Sequence, residues 1–141
     1  MNVEQLRRLC LSFPGVTEQI QWGDDLLFKV GGRMFAVTRL EPAKVWLSLK
    51  ANPESFVELT ERPGVVPAPY LAHAKWIALE SPDAFPDGEL SQLLRESYEL
   101  VRAKLPRKIR AYIVDGKAVA HGKAPSARAK KKSPMKSKRK R

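Results

Sequence analysis

At 141 residues the chain has room for one domain with a substantial core and no second one. Its formal charge of +11 is uneven: residues 123–141 carry ten Lys or Arg and no acid, which leaves sixteen cations against fifteen acids in residues 1–122. The basic total therefore belongs to a tail and not to the body. A single cysteine, Cys10, excludes an intramolecular disulfide or a Cys-rich metal site, and no apolar run approaches the ~18 residues of a membrane span.

Asn2, with Gln5 three residues on, predicts a capped first helix whose apolar face is Val3, Leu6, Leu9, Cys10 and Phe13, ended by Pro14-Gly15. Cys10 on that face reads as a buried, inert thiol rather than a nucleophile. Thr17 to Trp22 alternates as a short strand with Ile20 and Trp22 on one side. Two apolar-rich runs joined by Gly31-Gly32 then predict a β-hairpin, because a two-residue mirror-image turn needs positive φ. The pairs expected are Val30 with Arg33, Lys29 with Met34, Phe28 with Phe35 and Leu27 with Ala36. That register gives a core face of Leu26, Phe28, Val30, Phe35 and Val37, and an opposite face of Leu27, Lys29, Met34, Ala36 and Thr38.

Glu41 to Lys44 turns the chain into a strand at Val45–Lys50, with Val45, Leu47 and Leu49 on one face. A four-residue turn pairs Leu40 with Val45. It also puts that face opposite Phe28 and Phe35, a conflict that a bulge, a turn of different length or cover on both faces would resolve. Asn52-Pro53-Glu54 predicts a helix to about Glu61, with Phe56 and Leu59 inward. Val65 to Ala74 reads as an irregular loop and Trp76–Leu79 as a strand. Asp87 is the expected cap of the longest helix, about Gly88 to Leu105, with an inner stripe of Leu90, Leu93, Leu94, Ser97, Leu100 or Val101, and Lys104 or Leu105. Pro106 kinks or ends it, and Arg107 to Val114 reads as one more helical piece. The fold class expected is α+β, an antiparallel sheet with helices packed on one side, as one domain over residues 1–116. Residues 117–141 form a Lys/Arg-rich tail expected to be disordered alone.

Several pieces in order resemble the MmcQ/YjbR family of small bacterial proteins: Ser12–Glu18 (SFPGVTE), Phe28–Ala36 (FKVGGRMFA), Ser48–Glu54 (SLKANPE), Pro63–Glu80 and Ser97–Lys108. The resemblance spans roughly residues 1–110. It implies a CyaY-like (frataxin-like) fold and a DNA-binding role in which β-hairpins act as a double wing. The chain departs from the family's pattern at Ala72-His73-Ala74-Lys75, where members often carry more polar and basic residues, and the tail lies outside the resemblance.

Three basic groups are candidates for nucleic-acid contact. The tail, with Lys130, Lys131, Lys132, Lys136, Lys138, Arg139, Lys140 and Arg141 among its ten cations, suits a polyanion, with a solubilising spacer as the bland alternative. Arg102, Lys104, Arg107, Lys108 and Arg110 close the long helix, where cations also simply complement the macrodipole. Lys29 and Arg33 flank the hairpin glycines, whose N–H groups could meet a phosphate but which the turn geometry already explains. Arg39 joins the wing residues, with Trp46 beside it as a stacking candidate; otherwise Trp22, Trp46 and Trp76 read as core.

Enzyme readings are thin. Asp24-Asp25 is ordinary turn chemistry, and His73 and His121 lack a partner at a useful spacing. A frataxin-like fold raises iron binding by acids, but the acids here are scattered among cations. The expectation is a non-enzymatic, largely sequence-tolerant DNA-binding protein of the cytoplasm or nucleoid. RNA is the other polyanion, and no cofactor, metal, membrane or small-molecule substrate is expected. The rival is a protein-interaction or small-ligand module whose tail is incidental.

Overall fold

The computed structural model describes residues 1–114. Helix α1 (Val3–Leu11) starts at the expected capping box: Gln5 N–H donates to Asn2 Oδ1 at 2.8 Å, and Asn2 N–H donates to Gln5 Oε1 at 2.9 Å. Six strands follow, interrupted by one short α-helix and one 3-10 turn: β1 (Val16–Gln21), β2 (Asp25–Val30), β3 (Arg33–Arg39), β4 (Leu47–Lys50), α2 (Phe56–Thr60), β5 (Val65–Pro67), the 3-10 turn (Ala72–Ala74) and β6 (Trp76–Leu79). Two helices, α3 (Asp87–Arg102) and α4 (Arg107–Val114), close the described chain. All neighbouring strands are antiparallel, in the order β1-β2-β3-β4-β6-β5.

One core holds the four helices on one face of this sheet. Leu6, Leu59, Leu94 and Ile113, one from each helix, share it with Phe28, Phe35, Leu47, Leu49 and Ile77. The opposite face is covered by the segment after β5, where Ala68, Leu71 and Ala74 pack on Leu27, Val37, Trp76 and Ala78. This is the α+β layering expected.

A β-bulge resolves the register conflict. Val30 pairs with Arg33 and Lys29 with Met34, but Phe28 then pairs with Ala36, Leu27 with Val37 and Leu26 with Thr38. Phe35 is the extra residue, so Phe35 and Ala36 both enter the main core while Val37 turns to the other face. The expected pairs beyond Lys29 and the expected positions of Val37, Ala36 and Thr38 are corrected accordingly. The turn at 41–44 keeps its expected register: Thr38 faces Leu47 and Ala36 faces Leu49, so β2, β3 and β4 bury one continuous face. Val45 lies before the strand and packs with the second cluster, not with Leu47 and Leu49.

Local chemistry corrects three further expectations. Asn52 Oδ1 accepts from Glu54 N–H at 2.9 Å, which makes a turn two residues long, and α2 begins only at Phe56. Val65–Pro67 is an edge strand, a place where Pro costs no ladder bond on its outer side. Asp87 lies inside α3 rather than capping it; Pro86 is the cap residue, and the Asp87 carboxylate receives the N-terminal ammonium of Met1 at 2.9 Å. The inner stripe of α3 also includes Tyr98, whose hydroxyl donates to Pro14 O at 2.6 Å and whose ring lies 5.0 Å from that of Phe13.

Candidate nucleic-acid interface

Both tip glycines have positive φ, 59° at Gly31 and 83° at Gly32, as a type I′ turn requires. Their surroundings differ. A Cβ on Gly32 would meet nothing within 4 Å, whereas one on Gly31 would lie 2.6 Å from Leu105 Cδ1. Leu105 is buried three residues beyond the end of α3. The hairpin is therefore not a free wing. Its tip is seated on the α3–α4 junction, and only glycine lets the backbone come that close.

That contact brings two of the sequence-predicted groups to one end of the molecule. Arg33 is exposed at the tip, and Lys104, Arg107 and Lys108 are exposed around the junction. None of these four has a carboxylate within salt-bridge distance among the described residues. The others are committed to internal partners. Lys29 Nζ donates to Gln19 Oε1 at 2.7 Å, Arg110 Nε donates to Leu105 O at 3.0 Å, and Arg102 lies 3.6 Å from Glu99. Residues 130–141, with the tail cations Lys130 to Arg141, lie outside the described residues.

Helix-dipole complementation does not account for Arg107 and Lys108. They do not close α3; they occupy the first turn of α4, where the positive end of a new dipole already lies. A cation there is disfavoured by a few tenths to about 1 kcal/mol at low salt. Sequence reasoning also missed Lys50, at the end of β4. Its ammonium donates to Ala74 O at 3.0 Å, and its pKa is lowered by burial and then by the charge of Lys104. This end of the protein thus carries mutually repelling positive charge.

Arg39 is separated from this group. It lies at the opposite end of β3 from Arg33, roughly 20 Å away along the strand, and pairs with Asp25 at 3.1 Å. Trp46 does not offer a free ring beside it, being half-buried against the main core. Trp76 is buried as expected, but Trp22 is 66% exposed and sits one residue past β1 at φ 51°, so its expected core position is corrected. Asp25 is paired while Asp24 faces solvent, so the two carboxylates do not work together. Cys10 is fully buried, and burial pushes its thiol pKa up to about 12, away from thiolate chemistry at neutral pH. His121 lies outside the described residues.

Residues 11–100 match the YjbR family model. The chain belongs to the YjbR family. A Deinococcus radiodurans protein described by a DUF419 domain has a crystal structure similar to this YjbR chain: 32% identity, TM-score 0.72, over 80% of this chain and 88% of that one. A Pseudomonas syringae protein shares the fold at 22% identity and TM-score 0.58, over 71% of this chain and 98% of that one. No curated protein matches the chain. The YjbR match includes the hairpin but stops before Arg102, so the junction cations and the tail lie beyond it. No helix among the described residues is long and apolar enough to cross a membrane.

Proposed function

We propose that this YjbR protein is a non-enzymatic, cytoplasmic DNA-binding protein that grips phosphates with little discrimination between sequences. The observation that carries the reading is the seating of Gly31 on Leu105, which gathers Arg33, Lys104, Arg107 and Lys108 at one end. Past α4 the chain continues into residues 123–141 with ten further cations. A polyanion relieves the repulsion between Lys50 and Lys104 and the unfavourable cations at the start of α4. Contacts of this kind fix position on the backbone and carry no base information. The hairpin serves here as a docked edge of a basic surface rather than as an extended wing.

Duplex DNA binding by the full chain and by residues 1–122, each measured against salt, tests the reading. The full chain is expected to bind steeply with falling salt. Residues 1–122 are expected to bind more weakly, with a shallower slope, but above an unrelated neutral domain. Binding by 1–122 no better than that control would leave the tail alone as the binding element. Failure of the full chain to bind at moderate salt would remove the reading.

A further inference from the structure

A concave site lies on the other face of the sheet, running along β3 from the end of the hairpin remote from the tip as far as Met34. It is a cleft of about 270 Å³, lined among others by Trp22, Asp25, Val37, Arg39, Ser48 and Tyr70. Its base is sheet: Val37 pairs with Ser48, and Asp25 with Arg39. The bulge creates it, because the extra residue at Phe35 turns Val37 and Arg39 onto the face that carries Leu27 and Asp25.

Trp22 and Tyr70 are 66% and 96% exposed, the two most exposed aromatic residues among those described. Neither is held by the core, and both sit at positive φ, 51° and 66°, which side-chain-bearing residues seldom adopt. Beside them the Arg39 guanidinium and the Asp25 carboxylate stand 3.1 Å apart. As a pair they are neutral. They offer donors and an acceptor side by side, but no excess charge for a phosphate or a free carboxylate. The cleft is also smaller than the ~300–1,000 Å³ typical of sites for whole cofactors or drug-sized ligands. Two exposed aromatics, a neutral donor–acceptor edge and room for one ring system fit a flat, uncharged, hydrogen-bonding ring.

We infer that the Trp22–Tyr70 cleft takes an unpaired base of single-stranded DNA, stacked on the exposed aromatics and hydrogen-bonded along its edge by Arg39 and Asp25. This rests on the DNA-binding reading, which supplies the strand. A paired base in a duplex has both faces stacked and its edge occupied, so the cleft selects single strands. Phosphates of the same strand reach the basic end about 20 Å away along β3, and one ligand spans both sites.

The test uses the full chain and three labelled ligands of equal length: a single strand, the same strand built of abasic residues, and the duplex. The natural single strand is expected to bind at least about five-fold more tightly than the abasic one, since a stacked base contributes at least that factor. Trp22→Ala and Tyr70→Ala are expected to erase this preference and leave duplex affinity and its salt slope unchanged. Trp22→Gly, which suits the positive φ, controls for folding: it keeps the melting temperature and loses the preference. Equal binding of abasic and natural strands alongside intact duplex binding overturns the inference alone, as does a preference that survives all three substitutions. Loss of binding to all three ligands by the unaltered chain overturns the DNA reading and this inference with it.

Discussion

Ser97 sits where the bulge leaves the ladder between β3 and β4 incomplete. Its hydroxyl donates to Phe35 O at 2.6 Å and accepts from Lys50 N–H at 3.0 Å, bridging two backbone groups that do not reach each other. Ser97 is fully buried, so no water replaces it. Ser97→Ala leaves both groups unsatisfied and is expected to cost about 2–6 kcal/mol, at ~1–3 kcal/mol per orphaned group, read as a lower midpoint in urea unfolding. The tip glycines make a second residue-scale prediction. Gly32→Ala meets only the left-handed backbone cost of ~1–2 kcal/mol. Gly31→Ala meets the same cost and also drives its Cβ to 2.6 Å from the buried Leu105. Gly31→Ala is therefore expected to destabilise more than Gly32→Ala and, by unseating the junction, to weaken DNA binding as well. Equal melting temperatures for the two variants would contradict the docked tip.

Elements join through a few polar ties, and one of them carries a prediction for how stability responds to acid. Arg7 on α1 grips Glu18 on β1 with two bonds, Nε to Oε1 at 2.9 Å and Nη2 to Oε2 at 2.7 Å. The Arg7 hydrogen bond holds the Glu18 carboxyl below the ordinary glutamate range. Because the folded pKa is depressed, this stabilisation is complete above the unfolded value of about 4.3 and drains as pH falls through the folded value. Glu18→Gln is expected to lower the urea midpoint at pH 7, with the gap to the natural protein closing towards pH 3. A gap constant across that range would mean that the pair does not link α1 to β1. Much at this scale was legible in the sequence because its causes are local: the Asn2–Gln5 box, the Gly31-Gly32 turn and the Leu40–Val45 register need only neighbouring residues. The conflict between the two hairpin registers was legible too. A bulge was one of three solutions it offered, but the choice among them and the place of the bulge were not legible, since the bulge at Phe35 is held by Ser97, 62 residues away. Nor was the exposure of Trp22: Ile20, on the same side of this edge strand, is also 60% exposed, and Trp22 follows just past the strand end in a left-handed backbone.

Across the whole molecule the sequence divides cleanly into a neutral body and a basic tail, and that division understates the body. Near-neutrality is an average. Some acids are paired on or beside the helices, as in Arg62 with Glu89 at 2.7 Å and Arg95 with Glu99 at 3.2 Å, while Arg33, Lys104, Arg107 and Lys108 collect at one end with no carboxylate within salt-bridge distance among the described residues. Composition cannot reveal that segregation, because it depends on Leu105 meeting Gly31 across the fold. The central claim is that this folded end, and not the tail alone, grips DNA. It is tested most directly by the salt dependence of duplex binding for the full chain against a variant with Arg33, Lys104, Arg107 and Lys108 all changed to Gln. With about 0.9 of log–log slope for each phosphate contact, the account predicts weaker binding and a slope shallower by roughly 2 to 4. An unchanged affinity and slope would contradict it.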